Sequence, residues 1–381
     1  MDDEARTRSG LDPLHRREPR GRPPWGRRWP RRHARHDEGA GPDRARPAYA
    51  ALDLGTNNCR LLVARPAREG FRVIDAFSRI IRLGEGMAAS GRLGDAAIER
   101  AIEALGICRD KMNHRGVTRA RLIATEACRS AINGLEFRER VKQDVGLELE
   151  IVDRETEAEL AAIGCTPLMD PQSESVILFD IGGGSSEIVR LGRNRPAEGG
   201  PPEPHIRGWA SLPIGVVTLA ERYGGVKVDR ALFGAMVAEV GAHVKRFAAE
   251  HCGDIVLDTT HLLGTSGTVT TIAGLHLRLK RYDRRQVDGC WMTDTEVSIV
   301  LEDLLAMNYE QRVASPCIGA ERADLVLAGC AILEAIRRAF PCPRLRVADR
   351  GLREGMLVQM MRDDGAWDDG NSGGYDQTAA S

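Results

Sequence analysis

The chain has no CxxC pair, no apolar run long enough to cross a membrane and no overall basic excess, and each absence removes a class of function. Its nine cysteines (Cys59, Cys108, Cys128, Cys165, Cys252, Cys290, Cys317, Cys330 and Cys342) are scattered, several inside apolar runs. That spacing offers no metal-thiolate or dithiol site, so buried free thiols in a reducing cytoplasm are expected. No stretch of 18 apolar residues occurs, and no membrane partner is expected. The N-terminus carries no apolar core of a secretory signal, and its arginine pairs lack the apolar stretch of an export signal. Formal charge over 381 residues is -1, unevenly spread. Residues 1–46 hold 13 Arg, no Lys and 8 acids, hence +5, which leaves -6 on the remainder. Such a body is not a general nucleic-acid binder. Any polyanion it handles must be gripped locally, by metal, backbone amides and a few arginines.

Residues 1–46, rich in Arg, Pro and Gly, cannot build a core, because proline removes amide donors and like charges repel. They are expected to be a disordered tail, with order beginning near Tyr49. From there strand and helix patterns alternate, which predicts an α/β fold. Helices are expected at 95–114 (Asp95 as N-cap, Gly116 as stop), 135–145, 155–163, 230–252, 269–279, 295–307, 322–340 and near 353–362. Short strands are expected at 122–124, 147–152, 261–264 and 345–347. The Pro/Gly-rich stretch 193–208 reads as a surface hairpin insertion. Two domains are expected, 47–172 and 173–350, with a helix at 351–363 completing the first and a disordered tail at 364–381.

Two segments repeat one pattern of strand, Asp, Gly-containing polar turn and strand. They are AYAALDLGTNNCRLLVA (48–64) and VILFDIGGGSSEIVRL (176–191), and their aspartates, Asp53 and Asp180, lie 127 residues apart. The repeat implies two similar domains facing each other, each offering one acidic turn. Glycines at Gly55, Gly182, Gly183 and Gly184 let backbone N–H groups converge on an anion. Thr56, Asn57, Asn58, Ser185 and Ser186 add side-chain donors. An Asp at each strand end supplies hard oxygen for Mg²⁺, which would neutralise phosphate charge. A third turn, GTSGT, offers Gly264, Ser266, Gly267 and Thr268 at the start of a helix, where a phosphate binds well. It also reads as a plain tight turn.

These segments, with ATEACRSA, ETEAELAAIG and ADRGLREG, occur in an order and spacing that resembles the Ppx/GppA phosphatase family, over residues 49–361. That family belongs to the sugar kinase, heat-shock ATPase and actin superfamily. The resemblance implies a duplicated actin-like (ribonuclease H-like) fold with the active site between domains. It also implies Mg²⁺-dependent hydrolysis of a terminal phosphoanhydride, in polyphosphate or in guanosine pentaphosphate (pppGpp). It places the catalytic base at Glu157, metal-associated carboxylates at Asp53, Asp180 and Glu187, and a phosphate contact at Arg129. Gly55, Thr56, Asn57 and Gly182 to Ser185 match its phosphate loops. Thr56 and Asn58 stand where the family often has Ser; both keep a polar group.

Other readings of the same residues stay open. Glu155, Glu157 and Glu159 form an acidic run, which usually marks a solvated face; Arg129 has Glu126 and Glu157 as structural partners; Arg350 and Arg353 fit helix capping or domain bridging. Long family members add an HD-type helical domain, but here no His follows His276. A short two-domain form is therefore expected, with polyphosphate slightly favoured as substrate. An actin-like kinase and a non-catalytic alarmone sensor are the competing classes. No specific nucleic-acid partner is expected, and a homodimer is left open.

Overall fold

The computed structural model describes residues 46–68, 70–194 and 203–367. The expected N-terminal tail up to residue 45 and residues 368–381 lie outside them. Asp364 to Trp367, expected in a tail, instead pack on the first sheet, where the Trp367 indole donates to the Gly70 carbonyl at 2.8 Å.

Eleven strands among the described residues form two sheets. The first contains β1 (Ala48–Leu54), β2 (Asn58–Pro66), β3 (Phe71–Ile80), β4 (Val117–Ala124) and β5 (Glu150–Ile151), in the order β3-β2-β1-β4-β5. The second contains β6 (Ser175–Ile181), β7 (Ser186–Asn194), β8 (Glu203–Leu212), β9 (Thr260–Thr265), β10 (Trp291–Thr293) and β11 (Arg344–Ala348), in the order β10-β11-β9-β6-β7-β8. Each begins as a three-stranded antiparallel meander and continues with parallel strands, so β8-β7-β6-β9-β11 repeats β3-β2-β1-β4-β5. The repeat read in two short motifs extends through the topology.

β1 and β6 share one burial profile: every residue is buried except the sixth, which is Asp53 in one and Asp180 in the other. A central strand covered on both faces reads as an unbroken apolar run, which is why both were visible in the sequence. β3 was not, because it is a half-exposed edge strand with weak alternation. Of the stretch 193–208 expected as a hairpin insertion, residues 195–202 lie outside the described residues, and the flanks pair antiparallel in β7 and β8, Asn194 opposite Glu203. The strand expected at 147–152 shortens to β5. Helix Asp95–Arg115 is capped by Gly94 rather than Asp95, and Gly116 ends it at φ 61°.

Helix Leu352–Asp363 packs Leu352, Met356, Leu357, Met360 and Met361 onto Tyr49, Ala51, Leu62 and Ile123 of the first sheet. It also crosses helix Arg154–Cys165 with no room to spare. A Cβ on Gly355 would lie 1.9 Å from the Leu160 carbonyl oxygen, and one on Gly164 would lie 2.0 Å from that of Gly351. These two glycines set how closely the helices approach.

Near the start of β9, inside the second sheet, His261 is fully buried, with Nδ1 3.0 Å from Ser173 Oγ and its ring edge-on to Trp291. Burial, aided by Arg344, Arg346 and Arg193 against an opposing pull from Asp170, pushes its pKa down to about 4. The unfolded chain takes up this proton near pH 6.5 and the folded one does not, so stability falls with pH from about 6.5 down to about 4. The loss is about 2 kcal/mol by pH 5. Urea unfolding of His261→Gln should show a decline from pH 7.5 to 5 shallower than wild type by that amount; parallel curves would contradict it.

Candidate active site

The two Asp-bearing hairpins carry the same register. Asp53 lies opposite Arg60 across β1 and β2, and Asp180 lies opposite Glu187 across β6 and β7. The partner lies seven positions on in each hairpin, so the equivalent position is cationic in one half and acidic in the other. The two turns also touch. A Cβ on Gly183 would lie 2.9 Å from Thr56 Cβ, and one on Gly184 would lie 2.8 Å from Thr56 Oγ1 and 3.1 Å from Glu126 Cγ. Gly183 and Gly184 therefore have a structural reason to be glycine, the close approach of the opposite turn.

Helix Arg154–Cys165 starts at Asp153, whose carboxylate accepts from the Thr156 amide at 2.8 Å. Glu155 and Glu159 face solvent, as an acidic run predicts. Glu157 turns inward: its side chain is only 14% exposed and lines the cleft between the sheets. Arg129 donates to Glu157 Oε2 at 3.2 Å, to Glu126 Oε2 at 2.5 Å and to the Val152 carbonyl at 2.7 Å. Glu126 also accepts from Ser130 and Arg154. Arg129 is thus held by two carboxylates, and its action on Glu157 is direct.

Four carboxylates share this buried space, and all are pushed above their usual range. Glu157 lies well above it, from burial first and then from the charge of Glu187, against the pull of Arg129. Burial and Asp180 push Glu187 up to about 7. Burial raises Asp180 to about 6 and raises Asp53 as well, with Arg60 and Arg353 pulling both down. Burial and mutual repulsion thus outweigh the nearby arginines.

Asp53, Gly55, Thr56, Asn57, Asn58, Glu157, Asp180, Gly182, Gly183, Gly184, Ser185, Glu187, Ser266, Gly267 and Thr268 all line the one cleft. Four expected contacts differ, the first being Arg129, which is held by Glu126, Glu157 and the Val152 carbonyl and is not among the residues lining the cleft. Ser186 is buried and gives its hydroxyl to the Ile214 carbonyl at 2.7 Å. Ser185 gives its hydroxyl to Glu187 at 2.9 Å, as does Ser211. Gly264 lies inside β9, where a Cβ would strike the Phe179 ring at 2.6 Å, a packing reason. Ser266 holds φ at 101°, strained for a residue with a Cβ, and its buried Oγ has no partner. The amide oxygens of Asn57 and Asn58 are likewise buried and unpartnered, so these residues offer acceptors where donors were expected.

Arg60 and Arg322 escaped the sequence reading, and Arg353 was read there only as a helix cap or domain bridge. Arg60, Arg322 and Arg353 make no hydrogen bond or ion pair with any described residue. Arg60 and Arg322 line the cleft, and Arg353 joins Arg60 in acting on both aspartates. Arg60 also repels both Arg322 and Arg353. Arg322 is free to face inward because the helix expected from residue 322 begins at Val326, with turns at 322–325. Arg350, in contrast, forks onto Asp288. Only register could have marked Arg60, as the cross-strand partner of Asp53.

Among the described residues no three His, Cys, Asp or Glu side chains form a ready metal cage. The donors present fit Mg²⁺ nonetheless. Asp53 and Asp180 are hard, buried carboxylates, and the orphaned Asn57 and Asn58 oxygens line the same cleft. Mg²⁺ is commonly held by one or two carboxylates together with waters and substrate phosphates.

Comparison with known proteins agrees with this layout. The profile of the Ppx/GppA phosphatase family matches residues 62–364. A guanosine-5'-triphosphate,3'-diphosphate pyrophosphatase of Aeromonas salmonicida is 27% identical over 83% of the chain, which spans 60% of that relative's length. Exopolyphosphatase 2 of Mycobacterium tuberculosis is 28% identical over 82% of the chain and 98% of its own. The crystal structure of the Aquifex aeolicus family member superposes with a TM-score of 0.67 at 28% identity, covering 84% of this chain and 98% of that one. An exopolyphosphatase-like protein of known structure gives 0.73 at 26% identity, covering 83% and 98%. The fold is therefore the duplicated actin-like α/β fold, and the chain belongs to the Ppx/GppA phosphatase family.

Proposed function

We propose that the protein hydrolyses the terminal phosphoanhydride of inorganic polyphosphate, releasing orthophosphate. The observation that carries this reading is the set of three arginines without protein partners beside the buried carboxylates. Guanidinium groups are strong, charge-assisted donors, and a polyanion in the cleft would supply acceptors that the described residues do not. Water attacks the terminal phosphorus while Glu157 takes its proton. The new O–P bond forms as the bridging P–O bond breaks, and the electron pair leaves with the shortened polyphosphate. Arg129 keeps Glu157 oriented, and Arg60 and Arg322 hold the chain. Mg²⁺, held by Asp53 and Asp180 with Glu187 nearby, would neutralise phosphate charge.

The second substrate reading is guanosine pentaphosphate, favoured by the likeness to the pyrophosphatase relatives. Among the described residues lining the cleft there is no aromatic ring to stack a base, and this supports the base-free chain. The free and mostly buried thiols fit a reducing cytoplasm. The test is phosphate release with Mg²⁺ from polyphosphates of several lengths, guanosine pentaphosphate and ATP. Preference for polyphosphate supports the reading, preference for the guanosine compound moves it to the alternative, and inactivity on all three rejects it. In the same assay Asp180→Asn should shift the Mg²⁺ titration to about tenfold higher concentration, in line with loss of one ligating carboxylate. An unchanged titration would remove Asp180 from the metal site.

A further inference from the structure

A fifth buried carboxylate, Glu126, lines the cleft beside the four whose pKa values are raised. It is the first residue of helix Glu126–Ser130, which follows β4. The backbone there is pinned. The Thr125 amide donates to the Leu54 carbonyl at the end of β1 at 3.2 Å, and the Val152 amide donates to the Ala124 carbonyl at 3.3 Å. A Cβ on Gly134 would lie 1.9 Å from the Cys128 carbonyl oxygen, so the far end of this short helix has no room to shift either. Glu126 is therefore presented from rigid backbone.

Its two oxygens serve three donors: Arg129 at 2.5 Å, Arg154 at 3.1 Å and the Ser130 hydroxyl. Burial pushes its pKa up, but the hydrogen bonds from Ser130, Arg129 and Arg154 outweigh burial and hold it below the usual carboxylate range. A carboxylate so occupied stays ionised and makes a poor base. The two arginines instead lead to Glu157 by separate routes. Arg129 uses one terminal nitrogen, Nη1, for Glu157 Oε2 at 3.2 Å and for the Val152 carbonyl at 2.7 Å, and gives the other, Nη2, to Glu126. Glu126 is what stops this guanidinium plane from turning. Arg154 is the first residue of the helix that carries Glu157, three positions before it. Glu126 thus holds both the partner of the base and the start of the base's helix.

We propose that Glu126 is a positioning residue, which aims the carboxylate of Glu157 at the attacking water through Arg129 and through Arg154 at the helix start. This inference rests on the proposed hydrolysis with Glu157 as general base. Proton transfer needs the base oxygen within hydrogen-bond reach of the water, and a small misplacement costs rate rather than binding.

The experiment measures Glu126→Gln, Arg154→Met, Glu157→Gln and the double variant of Glu126→Gln with Glu157→Gln, in the full chain, with Mg²⁺ and polyphosphate of defined length. Glutamine at 126 keeps the side-chain length but loses the charge and one of the two acceptors. Its kcat should fall about 10–100-fold with KM changed less than about threefold. In the Glu157→Gln background the same substitution should change the residual kcat less than about twofold, because the group it aims no longer takes a proton. A merely structural role would lower the rate by the same factor in both backgrounds, and that additivity overturns the proposal. The side chain of Arg154 is 44% exposed, so Arg154→Met should fold even if Glu126→Gln does not. It should lower kcat about 3–10-fold at unchanged KM, and a wild-type kcat in either Glu126→Gln or Arg154→Met overturns the proposal. The failure of the underlying reading looks different. If Glu157→Gln itself keeps the wild-type rate, or the wild-type protein hydrolyses no phosphoanhydride, the base assignment falls and the positioning role falls with it.

Discussion

Glu157→Gln should lower kcat by about 10²–10⁴-fold, the usual contribution of a positioned general base, and leave substrate affinity within a few-fold of wild type. Glutamine keeps the side-chain length and an oxygen that can accept from Arg129, as Glu157 Oε2 does at 3.2 Å. It cannot take a proton from water. The substitution also removes one negative charge from a buried group of four carboxylates, so binding of a polyanion should not suffer. The diagnostic result is therefore a split: turnover collapses while equilibrium binding of a non-hydrolysable polyphosphate analogue holds or improves. A variant that turns over at the wild-type rate would remove Glu157 from the chemistry. Equal losses in rate and binding would make it a structural anchor for Arg129. Arg129→Lys is a useful companion, since a single ammonium cannot serve Glu126, Glu157 and the Val152 carbonyl with the geometry that the guanidinium fork provides.

The hairpins were legible because a buried strand ending in Asp and a Gly-rich turn departs sharply from ordinary surface sequence. The inward turn of Glu157 was not legible from its own neighbourhood. Glu155 and Glu159 look the same in sequence, and only helical phase relative to Arg129 and the cleft separates them. Glycines misled in one respect. Gly183 and Gly184 were read as room for a ligand, whereas Thr56, Asn57 and Glu126 of the other half occupy part of that room. A turn-to-turn contact across 127 residues leaves no local trace. Arg60 and Arg322, and the unpaired state of Arg353, were hidden for a different reason. The chain is rich in arginine, most of the described ones pair with carboxylates or carbonyls, and the informative property is the lack of a partner. That property exists only in three dimensions. Ser185 and Ser186 show the converse, hydroxyls with a phosphate-loop sequence whose protons are already given to Glu187 and Ile214.

Glu187→Gln should move the acid limb of the pH–rate profile toward lower pH. Glu157 must be ionised to accept a proton, so activity is lost as pH falls through its raised pKa. After burial, the charge of Glu187 is the main influence holding that pKa up. Neutralising residue 187 lowers it, and Glu157 stays ionised further into the acid. The same substitution should change stability with the opposite pH preference. Burial and Asp180 raise Glu187 itself to about 7, so the folded protein binds this proton more tightly than the unfolded chain. Its favourable contribution is complete below the unfolded value, near pH 4.3, and is lost as pH rises through about 7. Glutamine avoids that loss, and its oxygen can still accept from Ser185 and Ser211, which both donate to Glu187 Oε1 at 2.9 Å. In the presence of chelator, Tm of the variant should match wild type near pH 4.5 and exceed it at pH 8. The kinetic shift is read from the shape of the profile, so it survives a lower absolute rate if residue 187 also serves the metal. A limb that stays in place, or moves to higher pH, would show that Glu187 does not set the proton affinity of Glu157. The electrostatic coupling between the acidic turn of one half and the base helix of the other would then have to be abandoned.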